Sequence, residues 1–246
     1  MIPKVIHYCW FGNNPLPPLA LQCIDSWKKF FPGYDIIEWN EKNFDVNIIP
    51  YVSEAYKKGK YAFVSDYARF WILYNYGGIY FDTDVEVISS FEDILERGGF
   101  LGKELDHHCG SKKMTVNPGL GCAFEKNSPL LLDLLNLYKV ITFDKDNSKM
   151  GYKTIVDYTT EYILNNGLVV VPGIQKFRDI YIYPSDFFAP INVITTRLHL
   201  TSNTRSIHRY SGSWVDRNHL IDYKRIFRSL LPEFLLIWIN QLKHSK

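Results

Sequence analysis

Residues 65–87 read SDYARFWILYNYGGIYFDTDVEV, and this stretch decides the fold. Its first part continues a helical pattern that spans Ala62 to Tyr76. Gly77-Gly78 ends the helix, because glycine accepts the left-handed backbone that closes one. Ile79, Tyr80 and Phe81 then form a short apolar strand that leads directly into Asp82-Thr83-Asp84. Val85 and Val87 resume an alternating pattern. On an extended backbone side chains i and i+2 share a face. Asp82 and Asp84 are therefore expected to project together from a strand end, where open α/β sheets bind ligands. Two carboxylates so close repel unless a cation sits beside them. Hard divalent ions such as Mn²⁺ or Mg²⁺ prefer oxygen ligands and bridge to a diphosphate. An isolated Asp-x-Asp is a weak signal, since such tripeptides often sit in solvated turns. The apolar strand and the Gly-Gly before it strengthen this one.

Upstream, Ile2 to Trp10 reads as a buried first strand, closed by the turn signal Gly12-Asn13-Asn14-Pro15. Pro17 and Pro18 open a helix to about Phe31, with Leu19, Cys23, Ile24 and Trp27 at helical spacing. Pro32-Gly33 stops it, and Tyr34 to Trp39 is a second strand. Strand, helix, strand is the opening of a doubly wound α/β sheet. Downstream, Phe91 to Leu95 is a short helix. Residues 102–118, rich in Gly, His, Lys and Asn, read as a long functional loop. Leu130–Leu137 and Lys153–Leu164 are helical, and Gly167–Val171 is a strand. Residues 201–219 are polar and aromatic without clear periodicity, and the tail from about Lys224 is helical.

The bulk numbers exclude little. The 246 residues suit one domain, or one domain with a small appendage, and 46% hydrophobic content is that of an ordinary globular protein. A 16% share of aromatic residues fits stacking on flat or ring-shaped ligands as well as an aromatic core. A formal net charge of +2 gives nucleic-acid binding no support. Cys9, Cys23, Cys109 and Cys122 form no CxxC pair and read as free thiols in a reducing compartment. The N-terminus has no signal-peptide pattern, and no window approaches the ~20 apolar residues of a spanning helix. These readings place the chain in the cytoplasm.

The acidic pair admits a second reading. An apolar strand followed by Asp-x-Asp-x-Val also resembles the nucleophile loop of haloacid-dehalogenase-type phosphatases, in which Asp82 would be phosphorylated. Against it, no GD-x-x-x-D or Asp-Asp pair follows, and the motif comes after about 80 residues instead of on the first strand.

The larger pattern is more specific. Asp66 and Arg69, at i and i+3, share a helix face. Ser65-Asp66-x-x-Arg69 followed by Gly77-Gly78-x-Tyr80-x-Asp82-x-Asp84 closely resembles the sugar-binding region of glycosyltransferase family 32. That group includes fungal initiating mannosyltransferases and bacterial capsular polysaccharide transferases. The pattern is more distantly similar to the glucosylating domains of large clostridial toxins. Ile2-Pro3-Lys4-x-Ile6-His7-x-x-Trp10-x-Gly12 looks like the family's opening strand. Ile207 to Trp214 looks like its closing motif, and like the His-containing loop of related retaining galactosyltransferases.

The resemblance implies a GT-A-like α/β domain over 1–220, with a Rossmann-type nucleotide-binding half and a C-terminal helical tail at 221–246. It implies a retaining, metal-dependent hexosyltransferase. Asp66 and Arg69 would hold hydroxyls of the donor sugar, and Asp82 and Asp84 the ribose and a Mn²⁺ or Mg²⁺ ion. His208 would complete the metal shell, and Trp10 would stack on the base. Asn117 would lie near the donor sugar, with Ser211 and Trp214 closing over the diphosphate. UDP-galactose or UDP-glucose is the favoured donor, with GDP-mannose the alternative. The acceptor would be a glycan or lipid-linked oligosaccharide of a surface polysaccharide such as capsule. A Thr-Gly-Pro segment common in relatives is absent, and Lys153–Leu164 stands in its place. The apolar run Phe234–Ile239, flanked by cations, suits either a helix lying on an anionic membrane surface or a terminal helix packed on the protein's own core. The first of these would put the enzyme at the inner face of the plasma membrane.

Overall fold

The computed structural model describes residues 1–106, 114–143, 153–192 and 195–212, together with Pro232 and Leu236. The chain begins β1 (Val5–Cys9), α1 (Pro18–Phe30), β2 (Asp35–Trp39), α2 (Pro50–Lys57), α3 (Tyr61–Tyr76) and β3 (Gly78–Tyr80). β1 pairs in parallel with β2 on one side and β3 on the other. This is the expected Rossmann-type arrangement of parallel strands. It continues into a mixed sheet through β5 (Gly99–Leu105), β6 (Thr115–Val116), β7 (Cys122–Phe124), β8 (Gln175–Phe177) and β9 (Ile180–Tyr183). The order is β2-β1-β3-β7-β5-β9-β8, with β6 on β5. β4 (Val85–Val87) pairs antiparallel with β10 (Ser206–His208) in a separate ribbon. The remaining helices are α4 (Glu92–Arg97), α5 (Pro129–Val140), α6 (Ile155–Asn165) and α7 (Ser185–Phe188), with a 3-10 turn at Pro118–Leu120. The α/β expectation holds: a parallel β2-β1-β3 half leads into a mixed sheet, with the acidic motif just after β3.

Two apolar clusters cover the sheet's two faces. One joins α2, α3, α5 and α6 through residues such as Val64, Phe70, Leu73, Leu134 and Ile163. The other joins α1, α7 and the β4 ribbon through Trp27, Phe81, Phe91 and Phe188. α1 forms because Pro sits at its first turn, and Ala20, Cys23, Ile24 and Trp27 bury one stripe. The buried Trp27 indole donates to the Val85 carbonyl at 2.7 Å, which pins the segment after the acidic pair to α1. Cys9, Cys23 and Cys122 are free and buried, while Cys109 lies outside the described residues.

Two sequence expectations are corrected, and two segments without an assignment gain one. Residues 102–118 are not one loop: they include the end of β5, β6 and the start of the 3-10 turn, with 107–113 outside the described residues. Gly167–Val171 is not a strand. Its valines are exposed, 69% at Val169, and β8 takes the sheet edge instead. The buried Lys103 ammonium reaches Val171 O at 3.2 Å and so fixes the run beside the sheet. Pro50–Lys57, unassigned from sequence, is a helix that buries Tyr51, Val52 and Ala55. Residues 206–208, read as aperiodic, form β10. The tail 221–246 lies outside the described residues apart from Pro232 and the buried Leu236.

His7 in β1 is a structural pin. Its Nδ1 accepts from Trp39 Nε1 at 3.0 Å, and its Nε2 donates to Gly77 O at 3.0 Å. Both ring nitrogens are thus used by the neutral ring, in one tautomer. Burial lowers the His7 pKa from 6.5 to about 4, against a smaller opposing effect of the Gly77 carbonyl. Between these values the unfolded chain binds a proton that the folded chain refuses. Stability is therefore full above pH 6.5 and falls as pH drops towards 4, by about 1.4 kcal/mol per unit. His7→Gln should cost stability at pH 7.5, and its deficit relative to wild type should shrink between pH 6.5 and 4. Denaturant titrations across that range check this. A constant deficit would show that His7 does not carry the pH dependence.

Candidate functional site

The site forms where β3 ends. Asp82 and Asp84 do not continue an extended strand: residues 81–84 turn, closed by Val85 N–H donating to Asp82 O at 3.0 Å. The two carboxylates therefore converge through a turn and not through strand alternation. β10, antiparallel to β4, brings His208 opposite Val85. Ligand atoms of Asp82, Asp84 and His208 consequently all lie within 4.8 Å of one another.

Helix α3 presents Asp66 and Arg69 behind this turn. Arg69 Nη2 lies 3.0 Å from Asp66 Oδ1 and 3.1 Å from Asp82 Oδ1, and Nη1 donates to Asp82 Oδ2 at 3.4 Å. Arg69 Nε donates to Ser65 O at 3.3 Å, and the guanidinium lies 4.7 Å above the Tyr80 ring. The Tyr80 hydroxyl donates to Asp82 Oδ1 at 3.1 Å. Asp66 and Arg69 are both buried, so the sequence-level intrahelical pair is a desolvated network joining α3 to the end of β3. Removing one partner from such a network typically costs about 3–5 kcal/mol, because a charge is left alone.

The carboxylates differ in character. Burial pushes the Asp66 carboxyl up to about 7, against Arg69 and the Ile155 N–H at the start of α6. Burial also raises Asp82, with Arg69 opposing and Asp84 adding. Burial would raise Asp84 too, but His208 and the loop after β10 outweigh it and hold Asp84 below the usual carboxylate range. Its Oδ1 lies 3.2 Å from His208 Nε2, and its Oδ2 accepts Ser211 N–H at 2.8 Å. Burial lowers the His208 pKa, and the contact with Asp84 more than offsets this, so the net direction is up.

These residues fit a divalent ion. Two ligand atoms about 90° apart on an ion with bonds of about 2.1 Å are separated by about 3 Å, close to the Asp84–His208 distance. Two carboxylates and an imidazole suit Mn²⁺ as well as Mg²⁺. The second oxygen of Asp84 is steadied by Ser211 and both oxygens of Asp82 by Arg69, which is how ligand carboxylates are oriented. An ion at this point would replace the proton shared between His208 and Asp84.

A cavity of about 820 Å³ opens in front of the acidic turn. Trp10, Asp66, Arg69, Asp82, Asp84, Asn117, His208 and Ser211 all line it. Trp214 lies outside the described residues. Trp10 stands half-buried at the cavity wall, its indole N–H held by Asn14 O at 2.7 Å. Asn117 Oδ1 accepts Gly119 N–H at 2.7 Å, and its Nδ2 donates to Glu104 Oε1 at 2.8 Å. Sequence reasoning gave no role to Tyr80, Glu104, Tyr210 or the start of α6, all of which line the cavity. Tyr80 lay inside the quoted motif. A single Glu near a strand end carries no signal of its own.

Residues 17–101 match the family model described as "glycosyltransferase sugar-binding region containing DXD motif". The chain is 26% identical over 220 residues to inositol phosphoceramide mannosyltransferase 3 of Schizosaccharomyces pombe, covering 87% of this chain and 56% of that protein. It is 34% identical over 107 residues to the uncharacterized glycosyltransferase L373 of Acanthamoeba polyphaga mimivirus, covering 41% and 43%. The PaToxG glycosyltransferase structure aligns at a TM-score of 0.47 and 19% identity, over 67% of this chain and 70% of that one. The chain thus spans about half the length of these two curated relatives. Residues 17–101 thus carry the sugar-binding region of DXD-containing glycosyltransferases, in the place where the motif resemblance put it.

Gly119 shows how tightly the turn is packed. A Cβ there would lie 2.3 Å from Asp82 Oδ2 and 2.9 Å from Asn117 Oδ1. Gly119→Ala should therefore lower the unfolding free energy by about 1–3 kcal/mol, measured by denaturant titration. Unchanged stability would mean that Asp82 is not seated against this backbone.

Proposed function

We propose that the chain transfers a hexose from a nucleoside diphosphate sugar to a hydroxyl of a glycan or lipid-linked acceptor, with retention at the anomeric carbon and with Mn²⁺ or Mg²⁺ as cofactor. One observation carries the reading: an acidic pair and an imidazole converge in front of a buried Asp66–Arg69 pair, in a cavity whose wall includes Trp10. A divalent ion bound by Asp82, Asp84 and His208 supplies charge neutralisation to a leaving diphosphate. Asp66 and Arg69 present hydrogen-bonding groups to the sugar and fix its orientation. The Trp10 indole offers a flat face to the base, and Ser211 faces the diphosphate.

The mannosyltransferase relatives support mannose, and so GDP-mannose, ahead of the UDP-hexose favoured by the toxin and galactosyltransferase resemblance. The phosphatase reading needs Asp82 free to attack. Arg69 engages both its oxygens, which favours the transferase. Among the described residues no helix is long and apolar enough to cross a membrane. We place the enzyme in surface-polysaccharide assembly at the cytoplasmic face, with residues 1–220 as the catalytic domain and 221–246 as a peripheral tail.

Incubation with Mn²⁺ and a panel of GDP- and UDP-sugars should release nucleoside diphosphate slowly from one donor. Excess chelator should abolish the release and added Mn²⁺ should restore it; full activity in chelator would remove the metal from the reading. Asp84→Asn should lower turnover ~10²-fold or more without unfolding, since a charge-stabilising contribution of several kcal/mol is lost. Equal turnover in the folded variant would take Asp84 out of the site. Calorimetric titration should show tighter binding of GDP than UDP, and the reverse order would return the donor to a UDP-hexose.

A further inference from the structure

Two stretches of cavity wall come from different parts of the chain. Trp10, Phe11 and Asn14 belong to the loop after β1, and Gly59, Lys60 and Tyr61 to the passage from α2 into α3. Glu41, in the turn after β2, joins them from behind and does not line the cavity itself. Its Oε1 accepts the Gly12 backbone N–H at 2.7 Å and the Tyr56 hydroxyl of α2 at 3.1 Å. Its Oε2 is buried and meets no partner among the described residues, so those two hydrogen bonds seat the carboxylate.

The bond to Gly12 reaches Trp10 through a short closed loop. Gly12 and Asn13 take left-handed backbone, with φ of 96° and 57°, and the chain turns so that the Asn14 carbonyl accepts the Trp10 indole N–H at 2.7 Å. Asparagine visits that region at some cost, so the loop needs an external hold. The Tyr61 ring rests against Gly12, where a Cβ would come within 2.4 Å of it. The Tyr56 and Tyr61 rings are themselves in contact, with 5.5 Å between centroids. Glu41, Gly12 and the two tyrosines thus form a clasp between the two walls, and the Trp10 indole hangs from the loop that the clasp fixes.

We propose that Glu41 is a positioning residue for nucleotide binding: it holds residues 10–14 against the start of α3 and so presents the Trp10 face ready-made to the base. This rests on the transferase reading above, in which Trp10 meets the base. A wall that is fixed beforehand does not have to be ordered when the ligand arrives, and the affinity is higher for it. Asp82, Asp84, His208 and the Asp66–Arg69 pair lie on other segments. Turnover of donor already bound therefore does not depend on Glu41.

The test is calorimetric titration of nucleoside diphosphate in the presence of Mn²⁺, together with kcat and KM for the active donor. Glu41→Ala should weaken nucleoside diphosphate affinity ~10-fold and raise donor KM in step, with binding stoichiometry unchanged and kcat within about twofold. Glu41→Gln should return affinity to within about threefold of wild type, because its amide oxygen accepts the same two hydrogen bonds. Tyr56→Phe removes one donor and leaves the carboxylate in place, so it should weaken affinity by about threefold. That variant decides the matter if Glu41→Ala does not fold. A merely structural role would lower stoichiometry and kcat together at unchanged affinity, and that result would overturn the proposal. Affinity within about twofold of wild type in Glu41→Ala, or in Tyr56→Phe where it stands alone, would overturn it too. So would a Glu41→Gln variant as weak as Glu41→Ala. A wild-type protein that binds no nucleoside diphosphate would refute the transferase reading, and this proposal with it.

Discussion

Arg69 holds two carboxylates at once, the buried Asp66 of its own helix and the half-buried Asp82 of the turn after β3. Everything else in the site is arranged around that double contact. Without the guanidinium, Asp66 and Asp82 would be like charges out of water, and one or both would take a proton. With it, Asp82 keeps a fixed orientation and Asp84 swings to the other side of the turn. The Tyr80 ring beneath the guanidinium and the Ser65 carbonyl at its Nε leave it little freedom. The helix and the turn are therefore one rigid unit, and the cavity inherits its shape from that unit.

A second layer of constraint comes from backbone closeness. Gly119 lets the 3-10 turn press against Asp82, and Asn117 in the same turn reaches Glu104 on β5. Ser211 N–H and the Asp84 carboxylate tie the segment after β10 to the acidic turn. Around the Arg69 guanidinium, backbone amides and short side chains steady the remaining charged groups. Pre-set groups of this kind need little reorganisation when charge develops on a ligand.

The sequence revealed the parts of this arrangement that are local. The helix ending at Gly77, the strand after it and the spacing from Asp66 to Asp84 are all contained in residues 65–87, and each has its own periodicity or turn signal. What it hid is non-local or short. β7 and β8 have three residues each, too few for a period to show. β5 carries Gly102, Lys103 and Glu104 within its span, a composition that reads as loop until the buried Lys103 is seen anchoring Val171. The Gly167–Val171 run misled in the other direction, since β-branched residues there stay in solvent. Asp82 and Asp84 converge as expected, but through a turn instead of strand alternation. Glu104 and Tyr210 line one cavity from positions about a hundred residues apart, and no pattern in either neighbourhood announces that.

The antiparallel pairing of β4 with β10 has a consequence for the order in which the protein becomes competent. Asp82 and Asp84 leave the ribosome more than a hundred residues ahead of His208, and the strand that carries His208 pairs with a partner made long before it. A nascent chain can already join Arg69 to its two carboxylates while the third arm of the triad is still unsynthesised. The set of side chains that could hold a divalent ion is thus incomplete until residue 208 has been made and β10 has paired with β4.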